Sequence, residues 1–478
     1  MLSVSGARGI VGASMTPPVA AALAAAFAGE LRDEFEAGGE VVVARDGRAS
    51  GADLEEAVCA SLAANGWRAV RLGVVATPTT AVMIGHRRAA GGIVITASHN
   101  PIEWNGVKFL TSEGAAPPRD CAQRIIDRFR RTPSAVIAKP QAADTVAERD
   151  DAGPSVHVKR VLALVDVPSI RKGRFKVVLD SVNGAGGAAG RMLLERLGCT
   201  VIHLNGEATG VFAHTPEPTR ENLTELAAAV ASHHAAVGFA QDPDADRLAI
   251  VDEMGRYIGE EYTFVLAAEE VLGGAGDREA KTQAMSGGAK PQAVAGVGGS
   301  PLALAVNLSS SRMIDDVAAA HGARIFRTPV GEANVVEAMQ RHGCILGGEG
   351  NGGVIWPEVC LVRDSLSGMA LTLSLLARRG EALGRIVNAM PAYAIEKEKM
   401  AIRPGLAERA IEALAAKFPD AAADRQDGLR LDWPDQGAWL HIRASNTEPI
   451  LRLIAEARDQ AKASEIIHAA RALLGSLA

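Results

Sequence analysis

Apolar and polar positions follow one recurring order along most of this chain: a short β-branched run, a polar or glycine-rich break, then an apolar stripe at helical spacing. Val41-Val42-Val43-Ala44 predicts a buried strand, Asp53 to Ala64 an apolar-faced helix stopped by Asn65-Gly66, and Ala69 to Val75 a second strand. Upstream, Val19, Leu23, Phe27, Leu31 and Phe35 recur four apart behind Pro17 and Pro18, which predicts an amphipathic helix. Gly92-Ile93-Val94-Ile95 predicts a strand that runs into Thr96-Ala97-Ser98-His99-Asn100-Pro101. A helix follows around Ala122 to Arg130, and the polar stretch from Thr132 to Gly153 reads as a linker.

The same rhythm restarts with a strand over Phe175 to Asp180, a helix from the glycines at Gly184 to Gly190 up to Leu197, and a strand over Thr200 to Leu204. A helix over Glu221 to His233 and a strand over Ala236 to Gln241 complete this unit, and the aperiodic Gly273 to Gln292 reads as a solvated loop. A third unit runs from about Ala303 to Met390, with helices near Met313 to His321, Glu332 to His342 and Ser365 to Arg378. The tail differs, with strands at Leu429 to Trp433, Ala438 to Arg443 and Ile450 to Glu456 closed by a helix over Asp459 to Leu474. The pattern predicts an α/β chain of three similar mixed α/β sandwich domains plus a smaller C-terminal α+β domain. The expected bounds are 1–150, 151–272, 273–390 and 391–478.

Composition narrows the function. At 478 residues, 48% hydrophobic and 22% charged, the chain has ample core, and aromatics at 4% make that core aliphatic. A net charge of -6 leaves no basic stripe for nucleic acid. Five dispersed cysteines without a C-x-x-C pair read as reduced thiols in a cytoplasm. Gly12, Ser14, Thr16 and the two prolines break the N-terminal apolar run, so it is not expected to be a signal peptide, and no apolar stretch is long enough to span a bilayer. The expected partner is a small molecule, with no nucleic acid and no membrane.

Four loops carry candidate chemistry. Ser98 is a hydroxyl delivered at a strand end. Asp242-Pro243-Asp244-Ala245-Asp246-Arg247 places three carboxylates two apart after a strand, a spacing that converges oxygens on a hard cation. An EF-hand is disfavoured because Arg247 stands where that loop needs glycine and the flanks are strand-like. In Gly347-Gly348-Glu349-Gly350-Asn351-Gly352-Gly353, Glu349 and Asn351 suit a polyol; a plain flexible turn is the alternative. Arg443-Ala444-Ser445-Asn446-Thr447 concentrates donors for a phosphate, and Arg452 on the next strand either adds a second cation or lines the sheet face. Lys108, close behind the Ser98 loop, is a candidate for proton transfer or phosphate contact. Arg8, Arg45 and Arg48 sit among small loop residues, where arginines are ordinarily solvated. Adjacent residues generally point apart, which argues against a Ser98–His99 couple.

Together these residues resemble the α-D-phosphohexomutase superfamily over essentially the whole chain, in family order. The resemblance implies a heart-shaped molecule whose four domains surround one central cleft. Thr96–Pro101 would be the phosphoserine loop, Asp242–Arg247 the metal loop with one Mg²⁺, Glu349–Gly353 the sugar loop and Arg443–Thr447 the phosphate loop. It also implies that Ser98 passes its phosphoryl group to a hexose phosphate through a hexose 1,6-bisphosphate. Arg8, Lys108 and Arg247 would act beside it, with Ser98 and the three aspartates around the metal. Thr328 and Gly331 lie in Thr328-Pro329-Val330-Gly331-Glu332, which matches a sugar-side loop of the third domain. The chain departs from many bacterial members where Asn351, Gly353 and Glu332 replace a serine and two histidines. The Glu-Gly-Asn-Gly-Gly form is more similar to the archaeal phosphoglucosamine mutase branch, which tips the expected substrate toward glucosamine 6-phosphate and glucosamine 1-phosphate. Phosphomannomutase or phosphoglucomutase activity, a sugar-phosphate-binding protein without turnover and a Mg²⁺-dependent phosphatase are the other readings. The expected state is a monomer or homodimer.

Overall fold

The computed structural model describes all residues except 1, 4–5, 37, 133–146, 275–301, 403–406, 445–449 and 478. Four sheets appear in chain order. The first holds β1 (Leu2–Ser3), β2 (Gly6–Ile10), β3 (Glu40–Arg45), β4 (Arg68–Val74), β5 (Gly91–Ile95), β6 (Trp104–Leu110) and β7 (Glu148–Arg149), ordered β1-β2-β6-β5-β3-β4-β7. The second holds β8 (Lys176–Asp180), β9 (Thr200–Leu204), β10 (Val237–Gln241) and β11 (Leu248–Asp252), ordered β11-β10-β8-β9. The third repeats that order as β15-β14-β12-β13, from β12 (Ala303–Asn307), β13 (Arg324–Thr328), β14 (Leu346–Glu349) and β15 (Gly353–Ile355). The last is antiparallel, β16-β20-β19-β18-β17, from β16 (Ala394–Ala401), β17 (Ala422–Asp424), β18 (Leu429–Trp433), β19 (Ala438–Ala444) and β20 (Ile450–Ala457).

One topological device recurs. In each of the first three sheets a central strand pairs in parallel on one side and turns back into an antiparallel partner on the other: β5 into β6, β10 into β11, β14 into β15. The three connections are the Ser98 loop, the aspartate loop and the glycine loop. Central strands with helices on both faces are buried along their whole length, as the Val/Ile/Leu-rich runs anticipate. In the fourth sheet the β19–β20 connection is the arginine loop, of which Ser445, Asn446 and Thr447 lie outside the described residues.

The helix predicted from Val19 to Phe35 spans Pro17–Leu31, capped by the Thr16 side chain, and Phe35 falls beyond it. Among the helices that the pattern does not announce are Thr77–Arg87, Gly153–Leu162 and Glu261–Gly273. The first opens Thr-Pro-Thr-Thr, poor in helix propensity, yet its residues 77 to 84 are all buried as it packs against β3, β5 and the helix Gly153–Leu162, so packing decides. No helix among the described residues is long and apolar enough to cross a membrane.

Candidate active site

Ser98 leaves β5 in a left-handed conformation, φ 51°, and its side chain is buried. That strained backbone is held from behind by a guanidinium. Arg48 donates from Nη2 to the carbonyls of Ser98 and Asn100, both at 2.7 Å, and from Nη1 to those of Pro101 and Trp104 at 2.6 and 2.8 Å. Its Nε reaches Asp46 at 3.1 Å, and Asp46 also accepts from Thr96 Oγ1 at 2.7 Å, which in turn accepts from the Ser98 N–H at 2.9 Å. Arg48 is 0% exposed. The expectation of a solvated arginine is therefore overturned: four loop carbonyls and a buried carboxylate replace water as its acceptors.

The aspartate loop meets this hydroxyl. Ser98 Oγ donates to Asp242 Oδ2 at 3.0 Å, while Asp242 Oδ1 accepts from the Arg247 N–H at 3.1 Å. Thr77 donates its hydroxyl to Asp244 Oδ2 at 2.8 Å and its backbone N–H to the Asp244 carbonyl at 2.9 Å. Lys108, on β6, donates to Asp244 Oδ2 at 2.5 Å and Asp246 Oδ2 at 3.2 Å. All three carboxylates are buried, and each offers an oxygen within 4.8 Å of the others. Asp244 Oδ1 and Asp246 Oδ1 are buried without a hydrogen-bond partner, a costly state in a dry interior. Bare oxygens on clustered carboxylates fit a hard divalent cation, so the residues match the expected metal centre.

The electrostatics divide the three. Burial, then Asp246 and Asp244, push the Asp242 carboxyl well above the usual range. Burial is the largest influence on Asp244 and Asp246 too, but Lys108 with the Thr77 hydroxyl at Asp244, and Arg363, Lys108 and Arg247 together at Asp246, bring both below the usual range. Asp244 and Asp246 raise Lys108 against its own desolvation, so it stands as an ammonium between them.

His99 corrects a second expectation. Its Nδ1 lies 3.3 Å from Ser98 Oγ and 3.1 Å from Arg247 Nη2. Neighbouring side chains diverge in extended chain, but the left-handed turn at Ser98 brings these two to one side. A guanidinium only donates, so Nδ1 accepts and Nε2 carries the proton. Burial, with Arg247 and Arg8 nearby, lowers the ring to about 3 and keeps it neutral. Arg8, on β2, donates to Asn100 Oδ1 at 2.7 Å, and its charge is felt at the aspartate loop.

The residues expected to face a sugar are partly brought in. Glu349 ends β14 buried, with Oε1 accepting from Asn307 Nδ2 at 2.9 Å and the Gly331 N–H at 3.2 Å. Arg363, which no pattern singles out, donates to Glu349 at 2.8 Å, Glu332 at 3.0 Å and Asp246 at 2.6 Å. Beneath the loop, a Cβ on Gly350 would fall 2.1 Å from Glu261 Oε1, and burial lifts that carboxyl to about 8. Asn351 turns onto the Gly353 N–H at 3.3 Å, and Thr328 Oγ1 onto the Pro329 carbonyl at 2.9 Å. The aspartate and glycine loops are bonded directly, Leu248 N–H to the Gly352 carbonyl at 3.0 Å.

On the fourth sheet Arg443 stands opposite Arg452, and Arg452 opposite Lys399, a row of three cations on one face. Like charges directly opposite destabilise a sheet unless an anion joins them. Arg443 Nε lies 3.4 Å from Asp427 Oδ2, which also accepts from the Val330 N–H at 3.0 Å and so links this row to the Thr328–Gly331 loop.

Comparison with known proteins follows the same layout. The chain matches the four domains described as Phosphoglucomutase/phosphomannomutase, alpha/beta/alpha domains I, II and III over residues 2–135, 155–255 and 290–393, and the C-terminal domain over 396–473. It is 34% identical over 466 residues to a phosphoglucomutase/phosphomannomutase of Thermococcus kodakarensis, covering 97% of this chain and 95% of that one. It is 32% identical over 468 residues to a probable phosphoglucosamine mutase of Methanopyrus kandleri, with the same coverage of 97% and 95%. A crystal structure of a phosphoglucomutase/phosphomannomutase family protein from Burkholderia thailandensis superposes with a TM-score of 0.81 at 28% identity, covering 100% of this chain and 98% of that one.

Proposed function

The chain belongs to the phosphoglucomutase/phosphomannomutase family of phosphosugar mutases, which are isomerases, and from that premise we propose that it interconverts glucosamine 6-phosphate and glucosamine 1-phosphate through phosphoserine 98. The observation that carries the phosphoserine role is the buried Ser98 hydroxyl 3.0 Å from Asp242, beside two buried carboxylate oxygens that accept no hydrogen bond. A Mg²⁺ ion held by Asp242, Asp244, Asp246 and Ser98 would supply neutralising charge for a phosphoryl group.

In the forward half-reaction a free sugar hydroxyl attacks the phosphorus on Ser98. The bond from phosphorus to the serine oxygen breaks as the new one forms, giving a 1,6-bisphosphate. The sugar turns over and returns its other phosphoryl group to Ser98. Arg247, its Nη2 near Ser98 through His99, and Arg8 hold charge that spreads onto the transferring oxygens. Lys108, held as an ammonium by two aspartates, gives its proton to the serine or sugar oxygen that is freed, and the proton of the attacking hydroxyl restores it. Arg443 and Arg452, with Ser445, Asn446 and Thr447, clamp the phosphate that is not transferred. Glu349, Asn351, Thr328 and Gly331 face the sugar. The amino-sugar preference draws on the Methanopyrus kandleri relative and on Glu332, whose second oxygen has no partner among the described residues and suits an ammonium. The reaction belongs in the cytoplasm, where sugar phosphates are made.

Purified protein with Mg²⁺ and a trace of hexose 1,6-bisphosphate should interconvert the glucosamine phosphates faster than the glucose or mannose phosphates. Preference for mannose or glucose phosphate would replace the substrate assignment, and no turnover of any of them would end the mutase reading.

A further inference from the structure

We propose that Arg363 is a positioning residue for this reaction, the strut that sets the sugar-side carboxylate Glu349 and the metal-side carboxylate Asp246 in one fixed relation. The inference rests on the mutase reading for its context, but its geometry stands alone.

Arg363 lies between β15 and the helix Ser365–Arg379, and only 12% of its side chain is exposed. Each guanidinium nitrogen takes a different carboxylate: Nε donates to Glu332 Oε2 at 3.0 Å, Nη1 to Glu349 Oε2 at 2.8 Å and Nη2 to Asp246 Oδ2 at 2.6 Å. Its backbone N–H adds a second bond to Glu332 Oε2 at 2.9 Å. The base of the side chain is equally fixed. Asp364 caps the helix through the N–H groups of Leu366 and Ser367 and meets His157 at 3.2 Å, while the Ser365 N–H reaches the Ala245 carbonyl of the aspartate loop at 3.3 Å.

A carboxylate offers about four acceptor sites. Asn307, Gly331 and Arg363 take three of those on Glu349, and the remaining one is on the oxygen that Arg363 holds. The direction in which Glu349 can receive a sugar hydroxyl is thus set by Arg363. At Asp246, Arg363 and Lys108 both occupy Oδ2, which leaves Oδ1 without a hydrogen bond, with Arg247 Nε 3.9 Å away. A planar fork does this for several acceptors at once, and a lysine point charge would not.

Gly353 supplies an independent line. A Cβ built there would lie 2.2 Å from Arg363 Cδ, so the absence of a side chain at 353 is what admits the guanidinium. Glu332 and Gly353 thus both converge on Arg363, the one by accepting its hydrogen bonds and the other by leaving it room.

The test combines calorimetric affinity for glucosamine 6-phosphate, which needs no turnover, with steady-state rates. Arg363→Met and Gly353→Ala are each expected to weaken binding about tenfold and to lower kcat about a hundredfold. The double variant should be no worse than Arg363→Met, because the space that the added methyl group needs is then free. Arg363→Lys, with its circular dichroism unchanged, should recover less than about a tenth of the lost rate. Additive losses in the double variant, full rescue by lysine, or Arg363→Met within about twofold of wild type would each overturn the proposal. Wild-type protein that binds the sugar phosphate with these couplings but never isomerises it would refute the mutase reading and leave the strut standing. Protein that binds none would refute both.

Discussion

Val42 of the first sheet, Val177 of the second and Leu304 of the third belong to one apolar cluster, whereas the apolar cluster of the fourth unit, from Ala410 to Leu474, is its own. Across the inner junctions the polar groups are buried as well: His157 joins Thr79 at 3.0 Å to Asp364 at 3.2 Å, drawing on all three units. The outer junction is made of polar contacts. Ser309 Oγ meets His441 Nδ1 at 2.9 Å, the Arg312 N–H donates to Glu456 at 2.8 Å and the Val330 N–H to Asp427 at 3.0 Å, with Arg430 donating to the Leu308 carbonyl and Lys397 pairing with Glu260. Water can replace such contacts as surfaces part; it cannot replace a continuous apolar interior without a large cost. The difference assigns roles. Ser98, the aspartates, Lys108 and Arg363 belong to the units that share one apolar interior, whereas Arg443 and Arg452, the proposed phosphate clamp, belong to the unit with its own, the division that the proposed turnover of a bisphosphate calls for.

The sharpest way to break this division is Asp242→Ala, which removes the acceptor of Ser98 and one proposed metal ligand. It should lower kcat by roughly a thousandfold or more with KM changed by less than about threefold. A matching rise in KM would mean that the inner junction also supplies the substrate's binding energy. Next, Arg48→Met leaves Asp46 as a buried unpaired carboxylate and strips four loop carbonyls of their donor. The expected cost is about 3–5 kcal/mol, read as an earlier denaturant transition of the first unit. A loss below about 1 kcal/mol would show that the Ser98 loop holds its shape without the staple.

On the outer side, Arg443→Ala with Arg452→Ala should raise KM roughly 10–100-fold while kcat stays within a few-fold, the signature of grip without chemistry. A collapse of kcat instead would place the clamp in the transition state. The smallest effect concerns Glu261, which accepts the Ser311 N–H at 3.0 Å on the inner side of the junction where Glu456 takes the next N–H. Burial raises its pKa to about 8, so the folded protein keeps a proton that the unfolded chain releases near the ordinary carboxyl value. Stability from this group is full below that ordinary value, falls as pH climbs toward about 8, and is flat beyond. Glu261→Gln should therefore match wild type near about pH 5 and melt a few degrees higher near about pH 9. Equal midpoints at both would remove Glu261 from the pH response.

Much of this was legible in the chain, and for a physical reason. Ser98, the Asp242–Asp246 set and Glu349 all stand at the ends of β-branched or apolar runs, where a strand must release its last residues into a loop, so pattern and residue type point the same way. The four carbonyl acceptors of Arg48 are 50 to 56 residues away in sequence, and an aspartate two residues before it does not by itself distinguish it from a solvated arginine. Arg363-Asp364 before an apolar helix reads as a cap with a charged neighbour; its three carboxylates come from a helix start, a strand end and a loop that only folding brings together. The Ser98–His99 contact depends on one left-handed φ, which a serine rarely adopts and a sequence does not announce.

The most direct measurement is phosphopeptide mapping by mass spectrometry after the protein is incubated with Mg²⁺ and isotopically labelled hexose 1,6-bisphosphate. One labelled phosphoryl group should appear on Ser98 and move to sugar monophosphate when that is added, with no label taken up by Ser98→Ala. Isomerisation that proceeds with Ser98 unlabelled, or undiminished in Ser98→Ala, would contradict the role assigned to that hydroxyl.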